Sequence, residues 1–104
     1  MPATTLAGHA VDVTEEGFLT DPSQWSEDLA SVLAGQIGLT LSDDHWAAIR
    51  FARKDFGATG EAPTIRRLST AAGIPPKRLF ELFPQKPAKK LAYVSGLPKP
   101  RGCV

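Results

Sequence analysis

The sequence contains only one cysteine, Cys103, which stands next to Val104 at the end of the chain. One cysteine cannot form an intramolecular disulfide, so nothing here indicates an oxidising compartment. Hydrophobic runs are also short, because charges interrupt them before the roughly 18 residues that a membrane-spanning helix needs. The N-terminal stretch lacks the basic start and apolar segment of a secretory signal. We therefore expect a cytoplasmic protein without a membrane-spanning segment.

Acidic residues are scarce in the second half of the chain. Residues 51–104 carry eleven basic and three acidic side chains, whereas residues 1–50 carry eight acidic and one basic, giving charges of +8 and −7. A basic half could face nucleic acid or an acidic partner. It could equally complement the acidic half within one fold, so charge alone leaves both interpretations open.

The length of 104 residues favours a single domain. Weak alternation at Leu6, Val11 and Val13 predicts a short β-hairpin that turns near Gly8 and His9. No second metal-ligating residue stands near His9, so we interpret it as a turn residue.

Two longer helices are predicted next. The first starts at Asp21 and Pro22 and ends at Gly38. One face of it carries Trp25, Leu29, Val32 and Gln36, and Leu33 and Ile37 widen that face. The second starts at the N-cap Ser42 and is closed by Gly57 and Gly60, with Trp46, Ile49, either Ala52 or Arg53, and Phe56 on its buried face. His45 follows two aspartates directly, so the three side chains diverge on a helix and no metal site is predicted.

Two short helices joined at Gly73 follow, and Pro75 and Pro76 open the second one. With basic residues on both, this outline is typical of a helix-turn-helix corner, although many small helical domains contain such a corner. We expect Phe80, Leu82 and Phe83 to be buried, which would leave few polar side chains for reading bases. Core packing is also expected for the other large aromatic residues, Trp25, Trp46, Phe51 and Phe56.

The composition changes after Pro84. Residues 85–104 contain three prolines and five basic residues but no acidic residue, so a regular helix throughout is excluded. We therefore divide the chain into a domain over residues 1–84 and an extended C-terminal arm over residues 85–104. Four apolar residues of the arm could dock on the domain: Leu91, Tyr93, Val94 and Leu97. Arg50, Arg53, Arg66 and Arg67 have two open interpretations: solvated or ion-paired surface, or contacts to an acidic partner or to the arm.

Several stretches resemble the DsrC/TusE family, which includes the gamma subunit of dissimilatory sulfite reductase and the sulfur-relay protein of tRNA thiolation. They are GFLTDPSQWSEDLA, LSDDHWAAIRFARKDF, RRLS, LFP and, as the most specific, AYVSGLPKPRGCV. The resemblance extends over nearly the whole chain. It implies a mainly helical fold: a small orthogonal bundle with a helix-turn-helix-like corner, a short N-terminal β-hairpin and a flexible C-terminal arm.

The resemblance also implies a sulfur carrier in a cytoplasmic relay, a sulfurtransferase-type carrier rather than a stand-alone enzyme, with Cys103 holding sulfur as a persulfide. Gly96, Leu97, Pro98, Lys99, Pro100, Arg101 and Gly102 are then expected to meet partner proteins. These would be a TusBCD- or DsrEFH-like sulfur donor and, as acceptor, a tRNA-thiolating enzyme or a sulfite-reductase-like complex. No cofactor or metal is implied.

The sequence departs from one branch of the family. In the sulfite-reductase branch a second cysteine lies eleven residues before the terminal one, and here that position is Ala92. The intramolecular disulfide or trisulfide of that branch therefore cannot form within this chain. Two alternatives remain: an accessory subunit of a sulfite-reductase-like complex and, less favoured, a helix-turn-helix DNA-binding regulator.

Overall fold

The computed structural model of the chain describes residues 3–6 and 9–99. They form the expected mainly helical fold, with a short strand pair followed by five α-helices. The elements are β1 (Ala3–Leu6), β2 (His9–Asp12), α1 (Glu27–Gln36), α2 (Asp43–Thr59), α3 (Ile65–Ala71), α4 (Pro76–Leu82) and α5 (Pro87–Val94). Among the described residues, no helix is long and apolar enough to cross a membrane.

The N-terminal hairpin is confirmed, but His9, predicted as a turn residue, is the first residue of β2. Strands β1 and β2 pair antiparallel, with Ala3 opposite Asp12 and Leu6 opposite His9. The middle of the connection, including Gly8, lies outside the described residues. Beyond β2, a single bridge between Val13 and Leu19 returns the chain toward the helical body.

The start of the first helix differs from the prediction. Asp21 caps a 3₁₀ turn over Pro22–Gln24, and α1 begins only at Glu27, where the Ser26 hydroxyl accepts a hydrogen bond from the amide of Leu29. The predicted apolar face is therefore partly wrong, because Trp25 precedes the helix and Gln36 is exposed. The 3₁₀ turn instead places the Trp25 ring against the end of α5.

Helix α2 agrees closely with the sequence. Ser42 precedes it, and Gly60 ends it in the left-handed conformation that favours glycine. His45 is buried within the fold: Nδ1 accepts hydrogen bonds from the Ser42 amide (3.0 Å) and hydroxyl (2.7 Å). Its Nε2 donates to the carbonyl of Leu82 at 2.7 Å, so the side chain ties the start of α2 to the end of α4.

The predicted pair of short helices is present as α3 and α4, with Gly73 at a positive φ between them. One burial prediction in this region is wrong. Leu82 and Phe83 are buried, but the side of α4 that carries Phe80 faces solvent and leaves that residue 47% exposed. Trp25, Trp46, Phe51 and Phe56 are partly buried and pack against the core.

The extended conformation expected from residue 85 onward is wrong for the segment that forms α5. Pro87 occupies the first helical position, where the missing amide hydrogen costs nothing. Ala88, Leu91, Ala92 and Val94 are buried, and α5 packs against α1, α2 and α4. The buried apolar residues of α5 have the spacing of one helix face. In the sequence, the prolines before and after them favoured an extended arm.

Candidate functional site

Residues 95–99, here called the arm root, connect α5 to the segment that carries Cys103. Gly96, Leu97, Pro98 and Lys99 from the predicted site lie here, whereas Pro100, Arg101, Gly102 and Cys103 lie outside the described residues. Leu97 is buried, whereas Pro98 and Lys99 are exposed. The chain therefore emerges from the folded body after Leu97.

The backbone of the arm root forms a compact helix ending. Gly96 has φ +69°, and its amide donates to the carbonyl of Tyr93 at 3.4 Å. The amide of Leu97 donates to the carbonyl of Ala92 at 3.0 Å. These two bonds are those of a Schellman motif, in which a left-handed glycine reverses the chain and satisfies the last carbonyls of the helix. Leu97 follows that glycine and is 1% exposed, as is common for the hydrophobic residue at this position of the motif.

Trp25 holds this turn from the side. Its indole Nε1 donates to the carbonyl of Val94 at 2.8 Å. Its side chain also lies so close to Gly96 that a β-carbon there would be 2.5 Å from Cδ1 of the indole. Only glycine therefore fits, for reasons of both backbone conformation and space.

Arg53 completes the anchor from α2. Its guanidinium donates to the carbonyl of Ser95 at 2.7 Å and to the carbonyl of Pro22 at 3.1 Å. Its Cζ lies 4.2 Å from the centroid of the Trp25 ring, an arrangement that favours a cation–π interaction. Burial lowers the pKa of Arg53, but arginine remains charged. Of the two interpretations open for Arg53, the structure shows contact with the arm.

The other three arginines have different surroundings. Arg67 donates twice to the buried carboxylate of Asp55, at 2.8 and 3.1 Å, and this contact raises the pKa of Arg67. Arg50 lies over the Trp46 ring and 3.7 Å from Glu27, while Arg66 is exposed. Among the described residues, Arg53 is thus the member of this set that reaches the arm root.

Lys99 attaches the exposed end of the arm root to the turn after β2. Its Nζ lies 3.2 Å from one carboxylate oxygen of Glu16, and Nζ of Lys89 on α5 lies 3.4 Å from the other. Hydrogen bonding to Lys99, and secondarily to Lys89, lowers the pKa of Glu16. All three side chains are partly exposed, so the attachment is weak and sensitive to salt.

The sequence did not predict which residues of the folded body hold the arm root. The sequence predicts Trp25 in the core and no role for Glu16, because neither residue stands near the arm in the sequence. The Ser-Gly-Leu triplet at residues 95–97 did carry a signal, because a glycine after an apolar helical segment is typical of a helix C-terminus.

The fold and the site together define a class of protein. It is a small helical protein that fixes the base of a cysteine-bearing C-terminal segment. The chain belongs to the family of DsrC-like proteins, whose family model matches residues 5–104. Sulfurtransferase TusE from Escherichia coli K12 is 38% identical over 104 residues, which cover 93% of this chain and 95% of that protein. The same name is given to a Yersinia pseudotuberculosis protein of 38% identity, covering 93% of this chain and 96% of that one.

Solved structures agree with this membership. The solution structure of Allochromatium vinosum DsrC has a TM-score of 0.86 at 37% identity and covers 98% of this chain and 97% of that one. The oxidised gamma subunit of dissimilatory sulfite reductase from Archaeoglobus fulgidus has a TM-score of 0.79 at 33% identity, over 99% of this chain and all of that one.

Proposed function

We propose that this chain is a sulfur carrier in a cytoplasmic relay and that Cys103 carries the sulfur. The observation that supports this most directly is the position of the only thiol, six residues beyond Leu97, which is the last buried residue in the described part of the chain. Six residues span at most about 20 Å when extended, which is enough for a thiol to enter another protein's active site. The relatives named sulfurtransferase TusE support the same role.

The proposed reaction needs no external oxidant or reductant. The thiolate of Cys103 attacks the terminal sulfur of a donor persulfide, and a new sulfur–sulfur bond forms at Cys103. The bond between that terminal sulfur and the donor cysteine breaks, and the donor leaves as a thiolate. The terminal sulfur keeps its proton, so one negative charge moves from the carrier to the donor. Delivery repeats this exchange, with the acceptor's thiolate as nucleophile.

The donor in this proposal is a TusBCD- or DsrEFH-like sulfurtransferase. The acceptor is a tRNA-thiolating enzyme or a sulfite-reductase-like complex. Pro98 to Gly102 would enter these partners, whereas Gly96 and Leu97 are buried and would set the direction of the segment. The likeness to a sulfite-reductase gamma subunit favours a second candidate, an accessory subunit whose arm inserts into such a complex. Ala92 weighs against chemistry that needs two cysteines.

Mass spectrometry of the intact chain after incubation with a persulfide donor tests the carrier role. We expect a mass gain of one sulfur atom that reducing agent removes, and no gain in the Cys103→Ser variant. The free energy of unfolding of the variant should lie within about 1 kcal/mol of the parent's, because Cys103 is six residues beyond the last buried residue of the described chain. A folded parent chain that gains no sulfur would refute the carrier role.

A further inference from the structure

A pocket of about 270 Å³ lies between the start of α5 and the turn that follows β2. We call it the lysine pocket. Its lining residues come from that turn, the end of α1 and α5: Glu16, Phe18, Ile37, Gln85, Lys86, Lys89, Lys90 and Tyr93. The site described above uses only Glu16 and Lys89 from this set.

The rim of the lysine pocket is strongly basic. It holds three lysines against one carboxylate, Glu16, which already binds Lys89 at 3.4 Å. Within residues 3–6 and 9–99, Lys86 and Lys90 show no carboxylate within ion-pair distance. The pocket thus offers two cations without a partner in the described part of the chain, and its charge is complementary to an anionic ligand.

The floor of the lysine pocket is apolar. Phe18 is buried and packs edge-to-face on Tyr93, with ring centroids 5.7 Å apart. Ile37 and Tyr93 are half-buried, and the Tyr93 hydroxyl donates to Oε1 of Gln36 at 3.2 Å. A ligand that combines carboxylates with an apolar side chain would satisfy both the rim and the floor.

We propose that the lysine pocket docks a short acidic segment of a partner protein, with carboxylates on Lys86 and Lys90 and an apolar side chain on Phe18 and Ile37. This inference rests on the proposed carrier function, because it assigns the docking point of a relay partner. A nucleic-acid backbone fits less well: phosphates would use the lysines, but nothing in a phosphodiester chain would use the apolar floor.

The position of Glu16 explains why docking here would serve sulfur transfer. One carboxylate oxygen faces Lys89 at the pocket, and the other binds Lys99 at 3.2 Å, where the chain leaves the body. A segment bound in the pocket therefore lies beside the base of the arm. A partner carboxylate would also compete with Glu16 for Lys89.

Two unlabelled peptides, EDLFDE and its basic counterpart KKLFKK, provide the probes for an NMR titration of the isotope-labelled full chain. We expect the acidic peptide alone to shift amide signals in residues 16–18, 36–37 and 85–93. The double variant Lys86→Glu with Lys90→Glu should bind it about tenfold more weakly, because each reversed charge replaces an attraction with a repulsion. The matched control, Lys54→Glu with Lys77→Glu, changes the same net charge at exposed lysines outside the pocket.

Equal weakening in both double variants would overturn the proposal, since it would reflect net charge alone. Preferential binding of a single-stranded oligonucleotide, or self-association of the chain through the same lysines, would also overturn it. Loading of Cys103 from inorganic polysulfide tests the carrier function without testing the docking site, because polysulfide is small and needs no docking surface. A parent chain that loads sulfur but does not bind the acidic peptide refutes the docking site and leaves the carrier role intact.

Discussion

Gly96 and Trp25 are in direct contact at the point where the C-terminal segment leaves the folded body: a β-carbon at Gly96 would be 2.5 Å from Cδ1 of the indole. The same indole donates a hydrogen bond to the carbonyl of Val94, two residues earlier. The end of α5 is therefore fixed by a residue about seventy positions away in the sequence. The anchored turn lies seven residues before Cys103, the residue proposed to carry sulfur.

The Gly96→Ala variant tests this contact. Alanine in the left-handed conformation costs about 1 kcal/mol, and overpacking against the indole adds about 1–3 kcal/mol. Gly73→Ala is the matched control, because Gly73 has nearly the same φ, +71°, but no atom within 4 Å of the added carbon. We expect thermal unfolding to show at least twice the loss of stability at Gly96. Equal losses would mean that the Trp25 contact is not tight.

The Arg53→Lys variant tests the second part of the anchor. Lysine keeps the positive charge, but it lacks the planar guanidinium with which Arg53 donates to the carbonyls of Ser95 and Pro22 at the same time. We expect a loss of about 1 kcal/mol in urea unfolding and faster amide exchange at Gly96 and Leu97. Arg50→Lys is the control, because the Arg50 ion pair is exposed and should contribute almost nothing. Unchanged exchange at Leu97 would contradict a role for Arg53 in holding the arm root.

The attachment of Lys99 to Glu16 should depend on pH. Contact with Lys99 and Lys89 lowers the pKa of Glu16 below its ordinary value of 4.5. The favourable contribution is therefore fully present above pH 4.5 and is lost as the pH falls through the lower, folded-state pKa. We expect the Lys99 amide signal to shift in that acidic range and, through screening, at high salt. The same titration of Glu16→Gln should show no such transition; a transition that persists would assign it to another group.

The Ala92→Cys variant restores the second thiol of the two-cysteine relatives. Mild oxidation of the parent chain should give a reducible dimer, because one thiol can only join two chains. In the variant we expect an intramolecular disulfide instead, which requires β-carbons about 3.5–4.5 Å apart. Ala92 is 1% exposed, so the sulfurs can meet only if the end of α5 opens, and amide exchange at Leu97 should rise on oxidation.

Ala58→Cys is the control for that experiment, because Ala58 is exposed near the end of α2. Its thiol should form intermolecular products and leave exchange at Leu97 unchanged. If Ala92→Cys also forms only dimers, the arm of this protein does not bend back to α5, and the mobility inferred from the family resemblance is wrong.

The sequence alone determined the local elements of this protein. Ser42, Gly60 and Gly73 act within a few residues of themselves, so capping and left-handed glycines could be predicted from short stretches. Periodic apolar residues predicted α2, α3 and α4 for the same reason. Local signals also misled: Pro22 opens a 3₁₀ turn rather than α1, and the prolines around α5 concealed a buried helix that Pro87 begins.

Tertiary structure alone decided how the arm root is held. Arg53 and Ser95 are 42 positions apart and Glu16 and Lys99 are 83, so no local pattern links them. The Trp25 ring could have packed in the core by composition, and only the docking of α5 on α1 and α2 placed it against Gly96. Periodicity specifies which faces are buried, but the pairing of those faces depends on how whole helices fill space together.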